Sequence, residues 1–557
     1  MTDSSLDTTF NNPLGYVIKK YGTNITGYSV AIDNKNRIVV TGRTDDTDGE
    51  RSMFTTRYLP DGKIDNSYFR GNITELNRPG KITIGRSVAV DSEYRIVVTG
   101  DLFDSNSGTN YNMFIARYLF NGQIDPSFGD DGVITKQYTS GKKTSGLSVA
   151  IDSNDSIVVT GYTVNDTDKN SMFITRYSAD GKLDNSFYNG RVIFKQYTPG
   201  KHTEGNSVAI DINDNIVVTG ATADNTDISR MFITRYLFNG QIDTSFGDNG
   251  VIKYTSGKLT SGQSVAIDSF GRIVVTGVTG ESIDIISMFI TRYLSNGTLD
   301  NSFSGGFITK EYTIGGANYG QSVAIDSSDR IVVTGYTGFF DNPDTVSMFI
   351  TRYSSNGTLD TSFSGGYITK QYTSGKVTGG SSVAIDSSNR IVVTGFTTDN
   401  TDTTSMFITR YLGTGTEPIC VPVGTPILTD QGMVAIEKID TKVHTINHRR
   451  IIAVTETITP EKNLVCFEAN SMGINCPTKR TMMTPGHEVL YRGKLVQAKH
   501  FVGRVEGVHT IPYNGKDVLY NVLQEKHGLM TVNNMVLETL HPENKVAKEI
   551  LKKRYLQ

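Results

Sequence analysis

A fourteen-residue pattern, repeated at nearly constant spacing, constrains the fold of this chain more than any other sequence feature. The pattern is SVAIDSSNRIVVTG at residues 382–395, and six near-copies precede it. Each copy holds two short β-branched runs separated by polar residues with turn chemistry, so we predict a β-hairpin at each copy. The aspartate that ends the first strand recurs every 57 to 61 residues, at Asp33, Asp91, Asp152, Asp211, Asp268, Asp326 and Asp386.

Two further strands are predicted after each hairpin. A run such as MFITRYL at residues 406–412 comes first, and elsewhere an Asn-Gly or Asp-Gly turn, a D-x-S/T-F segment and a run such as GYITKQYT follow it. Repeats of this length with four strands are typical of propeller blades, and a closed ring removes the exposed sheet edges of an open array. The predicted fold class is therefore all-β, with a seven-bladed β-propeller followed by a smaller, mostly-β domain.

The two ends of the repeat array predict how the ring closes. Before the first hairpin lie LDTTF and GYVI, within residues 6–18, which match LDTSF and GYI within residues 359–368. The chain therefore begins with a fourth strand, whereas no fourth strand follows residues 406–412. We expect residues 17–21 to complete the last blade, so that the propeller is closed by its N-terminal strand.

Chemistry-bearing residues are concentrated in the last quarter of the chain. All three cysteines and seven of the eight histidines follow residue 419. Residues 420–557 carry 18 Lys and Arg against 13 Asp and Glu, a net charge of +5, which leaves −8 for residues 1–419. No basic stripe with interleaved aromatics is present, so we expect no nucleic-acid partner.

Composition also bears on location. No run approaches the roughly 18 apolar residues of a membrane span, and the polar start MTDSSLDTTF is unlike a signal peptide. We expect no membrane span and a reducing, cytoplasmic location with the cysteines as thiols. A composition rich in Asn, Asp, Thr, Ser, Ile and Tyr, with no Trp, suits an AT-rich genome such as that of a giant virus, and a virion location is then the second expectation.

Residues that recur in every blade are predicted to be structural. The Asp of SVAID and the Arg of each RY pair appear seven times, and a catalytic site does not need seven copies. We interpret them as turn residues or as polar ties between blades. Acidic loops such as residues 165–168 and 399–402 have oxygen ligands that suit Ca²⁺, but solvated Asx turns explain them better. We expect a protein or glycan partner to bind at the propeller loops.

Two resemblances follow from these motifs. GxSVAID, RIVVTG and MFITRY, over residues 6–412, resemble the delta-60 repeat family, which implies a propeller-like fold. The tail opens with CVPVGTPILT at Cys420, continues with TPGH at residues 484–487, and ends with YNVL and MTVNN near residues 520–534. This order resembles the Hint (hedgehog/intein) superfamily over residues 420–541.

The Hint resemblance implies a catalytic set. In that family the first Cys attacks the carbonyl of the preceding residue and converts a peptide bond to a thioester. Here the nucleophile is Cys420 and the scissile bond joins Ile419 to it. The T-x-x-H pair maps onto Thr484, which positions the amide, and His487, which transfers a proton near neutral pH.

Departures from the family pattern limit the reaction. Inteins end in His-Asn, whereas the corresponding strand here covers residues 535–539, so splicing is not expected. Sterol-transferring hedgehog domains have an Asp before the T-x-x-H block, whereas this chain offers only Glu456, the candidate for a second step. Ile419 is β-branched and hinders attack. The expected reaction is therefore a single cut on the amino side of Cys420, by water or an outside thiol.

The other cysteines have simpler interpretations. Cys466 lies in the apolar run LVCF and is predicted to be a core thiol, and Cys476 lies in a polar turn. A zinc site formed by Cys466, Cys476 and His487 is conceivable, but the spacing fits no ribbon or finger. We expect neither a metal nor a cofactor. Apolar residues at helical spacing predict a docked C-terminal helix at residues 542–557, with cations at its carboxyl end.

Two functions are consistent with the sequence. The predicted domains are a propeller at residues 1–412, a linker at 413–419, a Hint-like domain at 420–541 and the helix. The first hypothesis is a propeller scaffold or binding protein that a self-processing domain cleaves at Ile419–Cys420. The alternative is a non-enzymatic structural or adhesive protein, in a virion or at a surface, with an inert Hint-like domain.

Overall fold

The computed structural model describes residues 6–45, 51–71, 73–76, 78, 80–105, 111–254, 258–281, 285–339, 341–361, 363–413, 420–457, 463–492, 494–513, 517–524 and 528–539. The chain divides into two compact units, Met1–Gly413 and Thr414–Gln557. Ile419, most of the predicted linker and the predicted helix at residues 542–557 lie outside the described residues. No helix found among the described residues is long and apolar enough to cross a membrane.

The first unit consists of 28 described strands. They are β1 (Tyr16–Lys19), β2 (Asn24–Ile32), β3 (Ile38–Asp45), β4 (Arg51–Tyr58), β5 (Thr74–Glu75), β6 (Lys81–Val90), β7 (Ile96–Asp104), β8 (Asn112–Tyr118), β9 (Val133–Lys136), β10 (Thr144–Ile151), β11 (Ile157–Val164), β12 (Asn170–Tyr177), β13 (Ile193–Lys195), β14 (Thr203–Ile210), β15 (Ile216–Ala223), β16 (Ser229–Tyr236), β17 (Val251–Lys253), β18 (Leu259–Ile267), β19 (Ile273–Gly280), β20 (Ile286–Tyr293), β21 (Phe307–Lys310), β22 (Ala317–Ile325), β23 (Ile331–Phe339), β24 (Asn342–Tyr353), β25 (Tyr367–Lys370), β26 (Thr378–Ile385), β27 (Ile391–Thr398) and β28 (Thr404–Tyr411). Short 3₁₀ turns lie at Phe69–Gly71, Ser304–Gly306 and Ser364–Gly366.

These strands form seven four-stranded antiparallel sheets. Six sheets run in chain order, from β2-β3-β4-β5 to β22-β23-β24-β25, and the seventh has the order β26-β27-β28-β1. The first hairpin of each sheet is the predicted one, as the pairing of Ile385 with Ile391 shows for the seventh. The second strands, each beginning with Ile-Val-Val, are buried along most of their length. Strands buried on both faces are continuous apolar runs, as these are.

A glycine on each second strand allows the chain to approach its neighbour closely. The register of each first hairpin shifts by one residue just before the Ser of SVAID, for example between Gly380 and Ser382. At the facing position Gly395, an added Cβ would lie 1.9 Å from the carbonyl oxygen of Gly379. Only a residue without a side chain fits there, which explains the Gly that ends every RIVVTG or IVVTG run.

The ring closes through its N-terminal strand, as predicted. β1 pairs with β28, with Tyr16 opposite Thr409 and Lys19 opposite Met406. The strand covers Tyr16–Lys19, so it begins one residue before and ends two residues before the predicted range 17–21. One hydrophobic cluster joins Phe10 and Ile25 to Val392 and Met406, so the first and last sheets share a core.

The recurring Arg of each RY pair joins neighbouring sheets. In each sheet it pairs with the Asp of the D-x-S/T-F segment, as Arg57 does with Asp65 at 2.7 Å. A second guanidinium nitrogen donates to a carbonyl in the next repeat, from Arg57 to Phe120 at 2.6 Å and from Arg176 to Phe238 at 2.6 Å. The Asp of SVAID accepts backbone hydrogen bonds within its own turn, for example from Arg390 to Asp386 at 2.9 Å. Both recurring residues are therefore structural.

The second unit contains thirteen described strands. They are β29 (Val421–Pro422), β30 (Pro426–Thr429), β31 (Gly432–Ala435), β32 (Thr445–Ile446), β33 (Arg449–Thr457), β34 (Asn463–Phe467), β35 (Thr481–Met483), β36 (Glu488–Tyr491), β37 (Lys494–Gln497), β38 (Val508–Pro512), β39 (Leu519–Gln524), β40 (Leu529–Val532) and β41 (Met535–Glu538), with 3₁₀ turns at Ile436–Lys438 and Ala498–Phe501.

Three sheets enclose the core of this unit. Their orders are β29-β39-β33-β32, β31-β30-β40-β41-β36-β37 and β35-β34-β38. Buried apolar residues from all three sheets, such as Val421, Val489 and Phe467, form one cluster. The smaller domain is thus all-β among the described residues, and Cys420 lies directly before β29.

Candidate functional site

Cys420 is held by Thr484 at the edge of the second unit's core. The Cys420 amide nitrogen donates to Thr484 Oγ1 at 2.9 Å, and the Thr484 amide donates to the Cys420 carbonyl at 2.9 Å. The Thr484 hydroxyl also lies 3.3 Å from that carbonyl oxygen. Cys420 is 3% exposed and packs with Leu464 and Leu519. The nitrogen of the predicted scissile bond is therefore fixed by one hydroxyl group.

The T-x-x-H block forms a single turn that carries His487 with Thr484. The His487 amide donates to the Thr484 carbonyl at 3.1 Å, and both side chains are fully buried. The His487 Nε2 lies 3.1 Å from the Glu538 carbonyl oxygen, while its Nδ1 has no hydrogen-bond partner among the described residues. With Nε2 held by this carbonyl, Nδ1 is the candidate atom for proton transfer.

The electrostatics of His487 favour the neutral imidazole. Burial lowers the pKa of His487, and the Glu538 carboxylate and the backbone of Glu538 and Cys420 oppose that effect without cancelling it. A neutral imidazole accepts a proton from a thiol, whereas an imidazolium donates one to a departing amine.

Two acidic residues lie next to His487. The Glu488 amide donates to the Glu538 carboxylate at 3.2 Å. Burial raises the pKa of Glu488, and the negative charge of Glu538 raises it further. The pair therefore holds a proton on Glu488 at pH values where an exposed glutamate is ionised. Neither residue was predicted as part of the site, although Glu488 directly follows the T-x-x-H block.

Glu488→Gln is expected to stabilise the second unit at neutral pH by about 1–3 kcal/mol, because glutamine resembles the protonated acid. The pKa of Glu488 is higher in the folded than in the unfolded chain. Its protonated carboxyl therefore contributes stability that is fully present below about pH 4.5 and is lost as pH rises through the folded-state pKa. Calorimetric unfolding at pH 5 and pH 8 measures the difference. Glu506→Gln, which removes an exposed charge from the same unit, is the matched control. Equal pH dependence in wild type and Glu488→Gln would contradict this assignment.

Glu456, the predicted second-step residue, is exposed on β33. It lies opposite Tyr520, which in turn lies opposite Val421 on β29. If this antiparallel pairing is extended by one residue, Cys420 lies opposite Asn521 on β39, and Asn521 lies opposite Thr455 on β33. Successive side chains on a strand point to opposite faces of the sheet, so the Glu456 side chain points to the face opposite that of Cys420. Its role in a second step stays a prediction.

Asn521 is a buried polar residue that was not predicted as part of the site. It is fully buried on β39, its Oδ1 accepts the Val522 amide at 2.7 Å, and the Thr455 hydroxyl lies 3.4 Å from its carbonyl oxygen. Its place opposite Cys420 in the extended register makes it a candidate for orienting that residue. The Tyr-Asn pair at residues 520–521 was visible in the sequence, but only the strand register shows that Asn521 lies opposite Cys420.

The remaining cysteines do not join this site. Cys466 is fully buried and Cys476 is partly buried, and no disulfide links the three cysteines. Burial raises the pKa of both thiols. The Cys476 thiol lies 3.5 Å from the Asn534 carbonyl oxygen, whereas His487 is held by Glu538. The three residues considered for a zinc site in the sequence therefore have separate partners.

The fold and the site define the class of the protein, a β-propeller joined to a Hint domain with a leading cysteine. Two family models match the chain. The Hint domain covers residues 419–544, and the DUF5122 beta-propeller, a domain of unknown function, covers residues 36–68, 95–128, 153–187, 271–303 and 327–363. The resemblances to a propeller repeat and to the Hint superfamily are thereby confirmed. No curated protein matches the chain.

Solved structures with similar chain traces share little sequence with this protein. A protein of unknown function from Dyadobacter fermentans is 11% identical over 60% of this chain and 100% of its own, with a TM-score of 0.37. A PL25 ulvan lyase is 10% identical over 71% and 96%, with a TM-score of 0.38. A subtype N10 neuraminidase-like protein from a little yellow-shouldered bat isolate is 12% identical over 72% and 98%, with a TM-score of 0.35.

Proposed function

We propose that the second unit cleaves its own chain at the Ile419–Cys420 bond through an N-to-S acyl shift. The observation that carries this proposal is the 2.9 Å hydrogen bond from the Cys420 amide nitrogen to the Thr484 hydroxyl. That nitrogen is the leaving group of the reaction. A hydroxyl group fixes the leaving nitrogen, and a buried imidazole lies one turn away. The proposed Hint-type reaction requires this arrangement.

The proposed reaction needs only groups of this chain and one water molecule. The neutral His487 accepts the proton of the Cys420 thiol, and the thiolate attacks the carbonyl carbon of Ile419. The carbon–nitrogen bond breaks as the imidazolium returns the proton to the Cys420 nitrogen, which leaves a thioester between Ile419 and the Cys420 sulfur. Water then hydrolyses the thioester and leaves a carboxylate at Ile419 and a free thiol at Cys420.

Intramolecular placement favours this step. The bond and its nucleophile belong to adjacent residues, so no substrate has to be bound from solution and the effective concentration is high. Thr484 restricts the Cys420 backbone from both its nitrogen and its carbonyl side, which limits the orientations of the amide. The β-branched Ile419 opposes attack, so we expect slow cleavage.

The reaction is proposed to stop after one cut. The strand that ends in His-Asn in inteins ends here in Glu538 and Thr539, and neither side chain cyclises to break a downstream bond as Asn does. Thr539 donates its hydroxyl to the Gly528 carbonyl at 3.1 Å, which is a structural role. The released product is then the propeller, whose loops we propose as the surface for a protein or glycan partner.

A structural or adhesive role with an inert Hint domain is the second candidate. The burial of Cys420, at 3% exposure, favours it, because a buried thioester is hard for water or an outside thiol to reach. The two candidates differ in one observable, the integrity of the chain. In the first, the bond before Cys420 breaks; in the second, it persists.

Hydroxylamine capture tests the proposed function. We expect the purified full chain, incubated with hydroxylamine at neutral pH, to release a fragment of about three quarters of its 61.0 kDa that ends at Ile419 with a hydroxamate. Intact mass spectrometry distinguishes this end from the carboxylate left by water. A chain that stays intact with hydroxylamine and with dithiothreitol would exclude a thioester and leave the structural role.

A further inference from the structure

A second cluster of reactive side chains lies on the three-stranded sheet of the second unit. Cys466 on β34 pairs with His509 on β38 in the antiparallel register. Glu468 follows two residues after Cys466, and residues two apart on extended chain face the same side. Directly paired residues of antiparallel strands also share a face. The thiol, the carboxylate and the imidazole therefore converge although Glu468 and His509 are 41 positions apart in the sequence.

The spacing of the three groups suits a tetrahedral metal ion. The Cys466 Sγ lies 3.5 Å from Glu468 Oε1, and the His509 Nε2 lies 3.7 Å from the same oxygen. One ligand atom from each residue lies within 4.8 Å of the others. With metal–ligand bonds of about 2.0–2.3 Å, the edges of a tetrahedral zinc site are roughly 3.3–3.6 Å long. Small side-chain rotations are enough to reach that geometry.

A positive charge already occupies this position. The Arg480 Nε lies 3.0 Å from the Cys466 sulfur and 3.3 Å from Glu468 Oε1. The Arg480 side chain is 53% exposed, whereas Cys466 is fully buried. Because the Arg480 side chain is half exposed, the guanidinium can move into water when another cation replaces it.

We propose that Cys466, Glu468 and His509 bind a divalent transition-metal ion of the zinc type, with the fourth position open to water or another ligand. A thiolate with an imidazole selects zinc, cobalt or related ions rather than Mg²⁺ or Ca²⁺, which prefer oxygen ligands. Arg480 is the cation that the metal displaces. The site does not involve Cys420 or His487 and is independent of the proposed cleavage.

Cobalt titration of the full chain tests the site. We expect Co²⁺ to give the visible bands of tetrahedral cobalt and a thiolate-to-cobalt charge-transfer band, both removed by equimolar Zn²⁺. Cys466→Ser should lose the charge-transfer band, and His509→Gln and Glu468→Gln should bind Co²⁺ at least about tenfold more weakly. Arg480→Ala should bind it several-fold more tightly, because no guanidinium competes.

Two matched control variants assign the cobalt spectrum to the three ligands. Cys476→Ser and Cys420→Ala keep the three ligands and should retain the full spectrum. His509 and Glu468 are about half exposed, so their variants report on binding even where the buried Cys466→Ser variant does not fold. A charge-transfer band that survives in Cys466→Ser, or that disappears in Cys476→Ser, would overturn the proposal. Absence of tetrahedral cobalt bands in the wild-type chain would also overturn it.

Discussion

The Cys420→Ala variant is expected to remain a single chain of 61.0 kDa under every condition that cleaves the wild type. The alanine methyl group has no lone pair, so no thioester forms, and the thiol is the strongest nucleophile that a protein offers near neutral pH. The hydrogen bonds between residues 420 and 484 use backbone atoms of residue 420, so the variant keeps them. The expected effect is loss of cleavage rather than slower cleavage. Intact mass spectrometry after matched incubations measures it.

Cys476 provides the control for this experiment. Cys476→Ser removes a partly buried thiol that makes no hydrogen bond to Thr484 or His487 among the described residues. This variant should cleave at the wild-type rate. Cleavage that persists in Cys420→Ala would show that another nucleophile or a contaminating protease cuts the chain, and the acyl shift would then be wrong.

Arg410→Ala is expected to destabilise the propeller by about 3–5 kcal/mol, because it leaves a buried carboxylate without its cation. Arg410 pairs with Asp7 at 2.8 Å, both residues are 2% exposed, and the guanidinium lies over the Phe10 ring. Burial raises the pKa of Asp7, but hydrogen bonds from Thr9 and the charge of Arg410 outweigh it, and the pKa of Asp7 is lowered. This pair attaches the start of the chain to the last sheet.

Arg292→Ala is the matched control for ring closure. Arg292 is as buried as Arg410 and makes the same kind of pair with Asp300, eight residues away. Both variants should unfold at lower denaturant concentration. Only Arg410→Ala should also speed hydrogen exchange in β1, because its partner Asp7 belongs to the segment that closes the ring. Equal protection of β1 in the two variants would contradict closure through this contact.

Much of the propeller was predictable because its information is local and repeated. The alternation of SVAID, polar turn and RIVVTG predicts a hairpin without reference to the rest of the chain. Seven copies predict a sheet array, and the unmatched fourth strand at the start predicts closure. In the structure β1 pairs with β28, as the predicted closure requires. The partner of Arg410 was not predicted, although the LDTTF segment that contains Asp7 was compared with its counterpart at residues 359–363.

The candidate site was predictable only in part. Cys420, Thr484 and His487 follow from motif order, and the structure brings the Thr484 hydroxyl to the Cys420 amide. The contact of His487 with the Glu538 carbonyl and the raised pKa of Glu488 were not predicted, because they depend on which strand packs against which. Whether the three predicted residues catalyse cleavage stays a prediction, as do the cytoplasmic or virion location and the viral origin.

The sequence by itself determined the two-part architecture, because hydrophobic alternation and turn residues act over a few positions and recur seven times. It also indicated the candidate site residues of the Hint domain, because each motif is a contiguous run of residues. Only the tertiary structure decided which distant groups meet: Asp7 with Arg410, Glu488 with Glu538, and Cys466 with His509. Strand register decides these contacts, since a shift of one residue turns a side chain to the opposite face, and register depends on packing of the whole unit.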